Sequence, residues 1–126
     1  SLHHLTGGLN TLAGKKMCFI TMTGARSTRT RVIPLLYIPH GKRTLLVASA
    51  GGAPHHPAWY HNLVKYPNIE IEHQGKRRKF CARLTEGVEK DTLWPICYLH
   101  HAPYEEYRKR TTRDIPIFIC EPSTYE

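Results

Sequence analysis

Apolar residues fall at every second position in "IEIEH" (69–73) and again in "RKFCARLTE" (78–86), on either side of Gln74 and Gly75. Such alternation marks a strand with one buried and one solvated face, so the two runs predict a long hairpin. Denser apolar runs predict further strands in "KMCFITMT" (16–23), which stops at Gly24, "RVIPLLYIP" (31–39), "TLLVAS" (44–49) and "IPIFICEP" (115–122). Pro34 cannot donate to a ladder and argues for an edge position or a bulge in its run. "HGKR" (40–43) turns the chain so that the second and third runs pair as a hairpin.

The period changes after Pro57. Trp59, Leu63 and Tyr66 recur at i, i+4 and i+7, with Asn62 beside them. This is one inward stripe of a helix that Pro57 opens and Pro67 closes. "EKDTLWPICYLH" (89–100) begins as a second helix that Pro95 kinks or restarts, and "APYEEYRKRT" (102–111) reads as a further helical turn. The order β-β-β-α-β-β-α-β, without repeats or low-complexity segments, predicts a mainly β (α+β) chain: a small β-barrel with helices packed outside it. A doubly wound nucleotide-binding sheet is excluded, since strand and helix do not alternate and no GxGxxG follows a strand. Residues 1–15 are weakly patterned and read as a loose lead-in, and Ser1 in place of methionine points to a truncated native N-terminus. A length of 126 residues suits one domain spanning 1–126.

Charge narrows the partners. Eighteen Lys and Arg against ten Asp and Glu give a net +8, gathered at Arg26/Arg29/Arg31, Lys76–Lys79 and Arg108/Lys109/Arg110/Arg113. A basic balance of this kind favours an anionic partner: a phosphorylated cofactor, nucleic acid or an acidic membrane surface. No run reaches the roughly 20 apolar residues that span a bilayer, and nothing resembles a secretory signal. Cys18, Cys81, Cys97 and Cys120 are scattered singly without a CxxC pair, which favours free thiols in a reducing cytoplasm over disulfides or zinc. His55, His56 and His61 cluster, but without a cysteine pair or HExxH no metal is expected.

Three stretches carry candidate chemistry. In "VASAGGAPHHPAWYHN" (47–62), small residues after a strand end free backbone N–H groups and let a flat ligand approach, while the helix beyond offers its N-terminus to an anion. A plain Gly-Gly turn and a core-filling tryptophan explain that stretch equally well. In "TGARSTRTRVIPL" (23–35), Arg29 and Arg31 share a face of an extended segment and Arg26 precedes them, so forked donors can converge on a phosphate. In "HHAPYEEYRKRTTRDIP" (100–116), His101, Tyr104 and Tyr107 recur every three residues, a stripe of protic groups able to bond an oxygen-bearing substrate or deliver a proton.

These stretches, together with the closing "TTRDIPIFICEP", resemble the deazaflavin-dependent nitroreductase family of actinobacteria, split β-barrel proteins with an FMN-binding-like fold that use coenzyme F420. The likeness runs from about Met17 to Pro122 in order and spacing. It implies that the cofactor's phosphate and side chain are held by Ala25, Arg26 and Ser27 and by the segment Arg31, Val32, Ile33, Pro34, Leu35 and Leu36. The strand end Val47, Ala48, Ser49 and Ala50 and the helix start Ala58, Trp59, Tyr60, His61 and Asn62 would line the deazaflavin ring. Tyr104 would close over it. Ala25 and Ala50 stand where some relatives carry a basic residue. His101 replaces a tyrosine of the nitroimidazole-reducing member, which argues against nitro-drug reduction and leaves quinones and enones open.

The implied reaction moves a hydride from C5 of reduced F420 to an electrophilic quinone, enone or nitroaromatic. Ser49 and Tyr104 would fix the acceptor's oxygen, and Tyr107 or His101 would hydrogen-bond or protonate the developing enolate. A histidine near its ordinary pKa of about 6.5 donates a proton more readily than a tyrosine. The expected partner is thus a small-molecule hydride acceptor, not nucleic acid, in a cytoplasmic protein; contact with the inner face of the membrane, where quinones reside, is left open by the sequence. A monomer is favoured over a homodimer. Two alternatives remain: the same barrel holding FMN, and a non-enzymatic basic barrel that binds nucleic acid.

Overall fold

The structure is a computed structural model that describes residues 16–124; the lead-in at 1–15 lies outside the described residues. Seven strands form one antiparallel sheet: β1 (Met17–Thr23), β2 (Thr30–Leu36), β3 (Ile38–His40), β4 (Arg43–Val47), β5 (Asn68–His73), β6 (Lys76–Leu84) and β7 (Ile117–Pro122). Among the described residues three helices accompany them: α1 (Ala58–Lys65), α2 (Gly87–His100) and α3 (Pro103–Arg110), with a short 3-10 turn at Ala50–Gly52.

The strand order is β2-β1-β5-β6-β7-β4-β3. The first and last strands of that order are separated in sequence by Tyr37 alone, so the sheet must curl until its two edges meet. The result is the expected split β-barrel. The run expected as one strand over 31–39 is therefore two. Its first part pairs with β1, Pro34 facing Phe19 at the sheet edge, and its second pairs with β4 as the anticipated hairpin. The Tyr37 amide donates to the Lys16 carbonyl, and the Tyr37 ring stacks on His73 with centroids 3.6 Å apart.

Curling gives the sheet an inside and an outside, both buried along β4 and β7. Cys18, Ile20, Met22, Leu46, Ile69, Ile71, Phe118 and Cys120 fill the interior, where Leu63 of α1 joins them. Leu45, Val47, Ile117 and Ile119, the alternate residues of the same two strands, pack outward against Leu93, Trp94 and Cys97 of α2 and Tyr104 of α3. Pro95 does not restart α2 as a separate segment; the helix runs from Gly87 to His100. The buried stripe on either side of Pro95 outweighs the roughly 3 kcal/mol that an interior proline costs. Burial pushes the Cys18 and Cys97 thiols up to about 12, so both are inert packing groups.

Candidate functional site

The register of β1 on β2 decides which residues of "TRVIPLL" face inward. Directly opposed residues share a face, so Arg31 opposite Met22, Ile33 opposite Ile20 and Leu35 opposite Cys18 project to the barrel interior. Val32 and Pro34, opposite Thr21 and Phe19, project outward, and Leu36 packs with the outer core. At the open end, Arg31 and Ile33 meet the loop after β1 and the first turns of α1. Together they enclose a groove of about 780 Å³ that is also lined by Gly24, Ala25, Arg26, Ser27, Ala58, Trp59, His61 and Asn62.

The loop is held in place by α1. Asn62 accepts the Ala25 amide (2.8 Å) and donates to the Met22 sulfur (3.4 Å), while Lys65, one turn on, donates to the Ala25 carbonyl (3.0 Å). Within the loop, the Gly24 amide reaches the Arg29 carbonyl (2.8 Å) and Ser27 Oγ accepts the Arg29 amide (3.1 Å). A Cβ at Gly24 would lie 2.6 Å from Ser27 Oγ and 3.3 Å from the Arg29 carbonyl, so a side chain there would push Ser27 Oγ off the Arg29 amide it accepts. Arg29 thus contributes backbone to the loop, and its guanidinium does not line the groove; Arg26 and Arg31 do. Among the described residues neither has an ion-pair partner, and no carboxylate lines the groove. Two unpaired guanidiniums at the mouth of a largely apolar trough fit a ligand that is flat at one end and phosphorylated at the other.

Trp59 and Tyr60 turn inward, each with its ring centroid 5.7 Å from that of Phe118. Trp59 forms part of the groove floor. Tyr60 instead meets His56, with centroids 4.1 Å apart, and does not line the groove.

The second group of expected site residues assembles elsewhere. His101, Tyr104 and Tyr107 make one aromatic cluster at centroid distances of 4.8 to 6.1 Å. Tyr104 is only 5% exposed and belongs to the outer core. It is packed and does not line the groove. Burial raises its hydroxyl above the ordinary tyrosine value, so it stays protonated. Burial also lowers His101 below the ordinary histidine value. Its imidazole is neutral at pH 7, and the imidazolium donor expected from an unperturbed value is disfavoured.

The segment 47–53 bridges the two groups. Ser49 is buried, and its carbonyl accepts the Gly52 amide (2.9 Å). Gly52 has φ +83°, and a Cβ there would sit 3.0 Å from the Tyr107 carbonyl; glycine is what lets α3 rest on the turn. Val47 faces the outer core and Ala48 is buried, while Ala50 is exposed at φ 48°. Residues 47–50 therefore join the two groups of site residues without lining the groove.

Three residues that shape the site were not among those expected: Gly24, Lys65 and Arg113. Gly24 is legible as the break after an apolar strand. Lys65 follows Asn62 at i+3, a spacing that puts both on one helix face. Arg113 lies within the "TTRDIP" run that contributes to the family likeness, but only its partners reveal its task.

His56 and His101 set an acid limit on stability. Burial lowers both below the ordinary value, and for His56 the neighbouring Arg113, His61 and Lys90 charges add to this while Asp114 opposes it. Above about pH 6.5 both residues are neutral, folded or unfolded. As pH falls below that, the unfolded chain binds protons that the folded chain refuses, so stability declines with acidification until the lower folded values are reached. Thermal melts should drop between pH 7 and pH 5, and the drop should be shallower in the His56→Gln/His101→Gln double variant. An equal slope in the two proteins removes these histidines as its cause.

Comparison with known proteins bears on the family and the fold. The model of a family described as F420H(2)-dependent quinone reductase matches residues 4–122. An F420H(2)-dependent quinone reductase of Mycobacterium tuberculosis is 38% identical over 100 residues, covering 77% of this chain and 67% of that protein. Among solved structures, an F420-H2 dependent reductase designated FDR-A superposes with a TM-score of 0.80 at 35% identity, over 85% of this chain and 95% of that one. A structure described as a domain-swapped dimer matches with the same score and identity, over 85% of this chain and 81% of that one.

Proposed function

Because the chain belongs to the F420H(2)-dependent quinone reductase family, we propose that the groove between the Gly24 loop and α1 is its cofactor site and the His101–Tyr104–Tyr107 cluster its acceptor side. The protein is an oxidoreductase whose cofactor is coenzyme F420 and whose partner is a small-molecule acceptor. The observation that carries the assignment of the groove is the pair Arg26 and Arg31, unpartnered among the described residues, at the mouth of an apolar trough. When bound, reduced F420 supplies the hydride.

The chain's own residues supply grip, orientation and proton control. Arg26 and Arg31 take the phosphate, with forked donors suited to its oxygens. Ile33, Ala58 and Trp59 offer the ring an apolar floor, and Asn62 and Lys65 hold the Gly24–Ser27 loop to α1 so that the arginines stay in register. Tyr107 and neutral His101 donate hydrogen bonds to the acceptor's oxygen, stabilising charge as it develops there. Tyr104 backs them as a packed, protonated hydroxyl. Ser49 places the strand end beneath them. The described barrel and its helices act as one cofactor-binding domain. A homodimer is the assembly we adopt in place of the monomer suggested by the sequence, since a structural relative at 35% identity is described as a domain-swapped dimer.

Fluorescence titration with oxidised F420 beside FMN tests the cofactor, and anaerobic turnover with a soluble naphthoquinone tests the acceptor side. F420 should saturate and FMN should not. His101→Phe should lower kcat about tenfold with the F420 Kd within about twofold, the loss expected for one hydrogen-bond donor. FMN binding as tight as F420 reassigns the groove, and unchanged kcat removes His101 from the acceptor side.

A further inference from the structure

Arg113 lies on the segment between α3 and β7, and it spends nearly all of its hydrogen-bonding capacity on another stretch of backbone. Nε donates to the Ala53 carbonyl (3.0 Å), one terminal nitrogen to the Ala48 carbonyl (3.1 Å) and to His56 Nδ1 (2.7 Å), and the other to the Ser49 carbonyl (2.7 Å). A guanidinium has five N–H donors; four are committed here, which leaves too little for a phosphate or a substrate. The backbone it grips turns unusually tightly. Ala50, Gly51 and Gly52 all have positive φ, at 48°, 64° and 83°, and this left-handed run, strained at Ala50, brings three carbonyls round to one planar cation.

The grip is anchored at both ends. The Arg113 amide donates to Thr111 Oγ1 (3.1 Å), and Asp114 accepts the buried Lys90 amine of α2 (2.8 Å). On the far side, His56 lies against Tyr60 of α1, and Tyr60 against Phe118. Gly52 supports Tyr107 of α3. The chain from α1 through His56, Arg113 and the 48–53 turn to α3 is therefore continuous.

We propose that Arg113, with His56 as its fourth acceptor, is a positioning residue for hydride transfer: it fixes the 48–53 turn and so sets the acceptor-side cluster relative to the cofactor groove. The proposal rests on the reading of groove and cluster given above. An ammonium cannot replace the fork, since a lysine at 113 would be a point donor unable to span three diverging carbonyls.

The test compares wild type with Arg113→Lys in two ways. Without cofactor, amide hydrogen exchange reads the turn directly, because the Gly52 and Ala53 amides donate to Ser49 and Ala50. Both amides should be protected in wild type and exchange about 100-fold faster in the variant. With F420 and a naphthoquinone, the variant should keep the F420 Kd within about threefold, since Arg26 and Arg31 are untouched. Its kcat should fall about 10- to 100-fold, the scale of a small misplacement of reacting groups. Unchanged protection shows that Arg113 does not hold the turn, and F420 affinity and kcat falling in step make it a cofactor ligand; either overturns the proposal. Failure of wild type to bind F420 overturns the groove assignment instead, while the exchange result still judges Arg113. Should Arg113→Lys not fold, His56→Phe keeps a ring on Tyr60 but removes the acceptor. It must speed exchange of the same amides and lower kcat severalfold at unchanged Kd, or the proposal falls.

Discussion

Replacing Arg26 and Arg31 together with alanine is expected to weaken F420 binding by about 10² to 10⁴ while leaving the melting temperature nearly unchanged. Among the described residues neither guanidinium makes an ion pair, so their removal breaks no salt bridge that holds the fold. A charge-assisted hydrogen bond contributes about 1.5–3 kcal/mol. Two of them lost together give about 3–6 kcal/mol, and each 1.4 kcal/mol is tenfold in Kd. Each single variant should lose about 10- to 100-fold, and raising ionic strength should erode wild-type affinity more than that of the double variant. An F420 Kd within threefold of wild type in the double variant would put the phosphate elsewhere on the basic surface.

Phe118→Ala should produce the largest loss of stability, about 3–5 kcal/mol, in line with large-to-small changes in well-packed cores. Phe118 is 1% exposed in the barrel interior, opposite Leu46 on β4, with Trp59 and Tyr60 packed on it. A loss of that size consumes much of the roughly 5–15 kcal/mol by which small domains are stable. It also removes the support of the groove floor, so F420 affinity should fall as well. Ile119, the next residue, faces the outer core against α2. Ile119→Ala should cost about 2–5 kcal/mol yet leave F420 affinity within about twofold. Chemical denaturation and titration of both variants, at a temperature where each is folded, separate the two faces of β7. Equal Kd in the two variants would mean that the floor does not depend on Phe118.

Much of this protein is legible in local sequence because much of it is local. Period-two alternation in 69–73 and 78–86 places β5 and β6 as a hairpin, since a strand's side chains must alternate whatever it pairs with. Pro57 and the Trp59/Leu63 spacing place α1. Pro34 marks an edge because a residue without an N–H cannot sit between two partners. The segment from Gly24 to Arg31 is short enough that its arginines stay near one another in almost any fold, which is why two of the three meet at the groove.

The remainder depends on contacts between residues distant in sequence. Nothing at Tyr37 looks like a turn, because the chain there keeps its extended backbone and changes only its partner, from β1 to β4. Pro95 reads as a break, yet the helix continues because Leu93, Trp94 and Cys97 are buried on one side of it. Tyr104 reads as a pocket group until the barrel's outer core closes around it. Arg113 reads as one more surface cation, and its partners lie 57 to 65 residues away. Periodicity reports which way a side chain faces relative to its neighbours along the chain. What it faces is decided when the sheet curls and brings the ends of the strand order together.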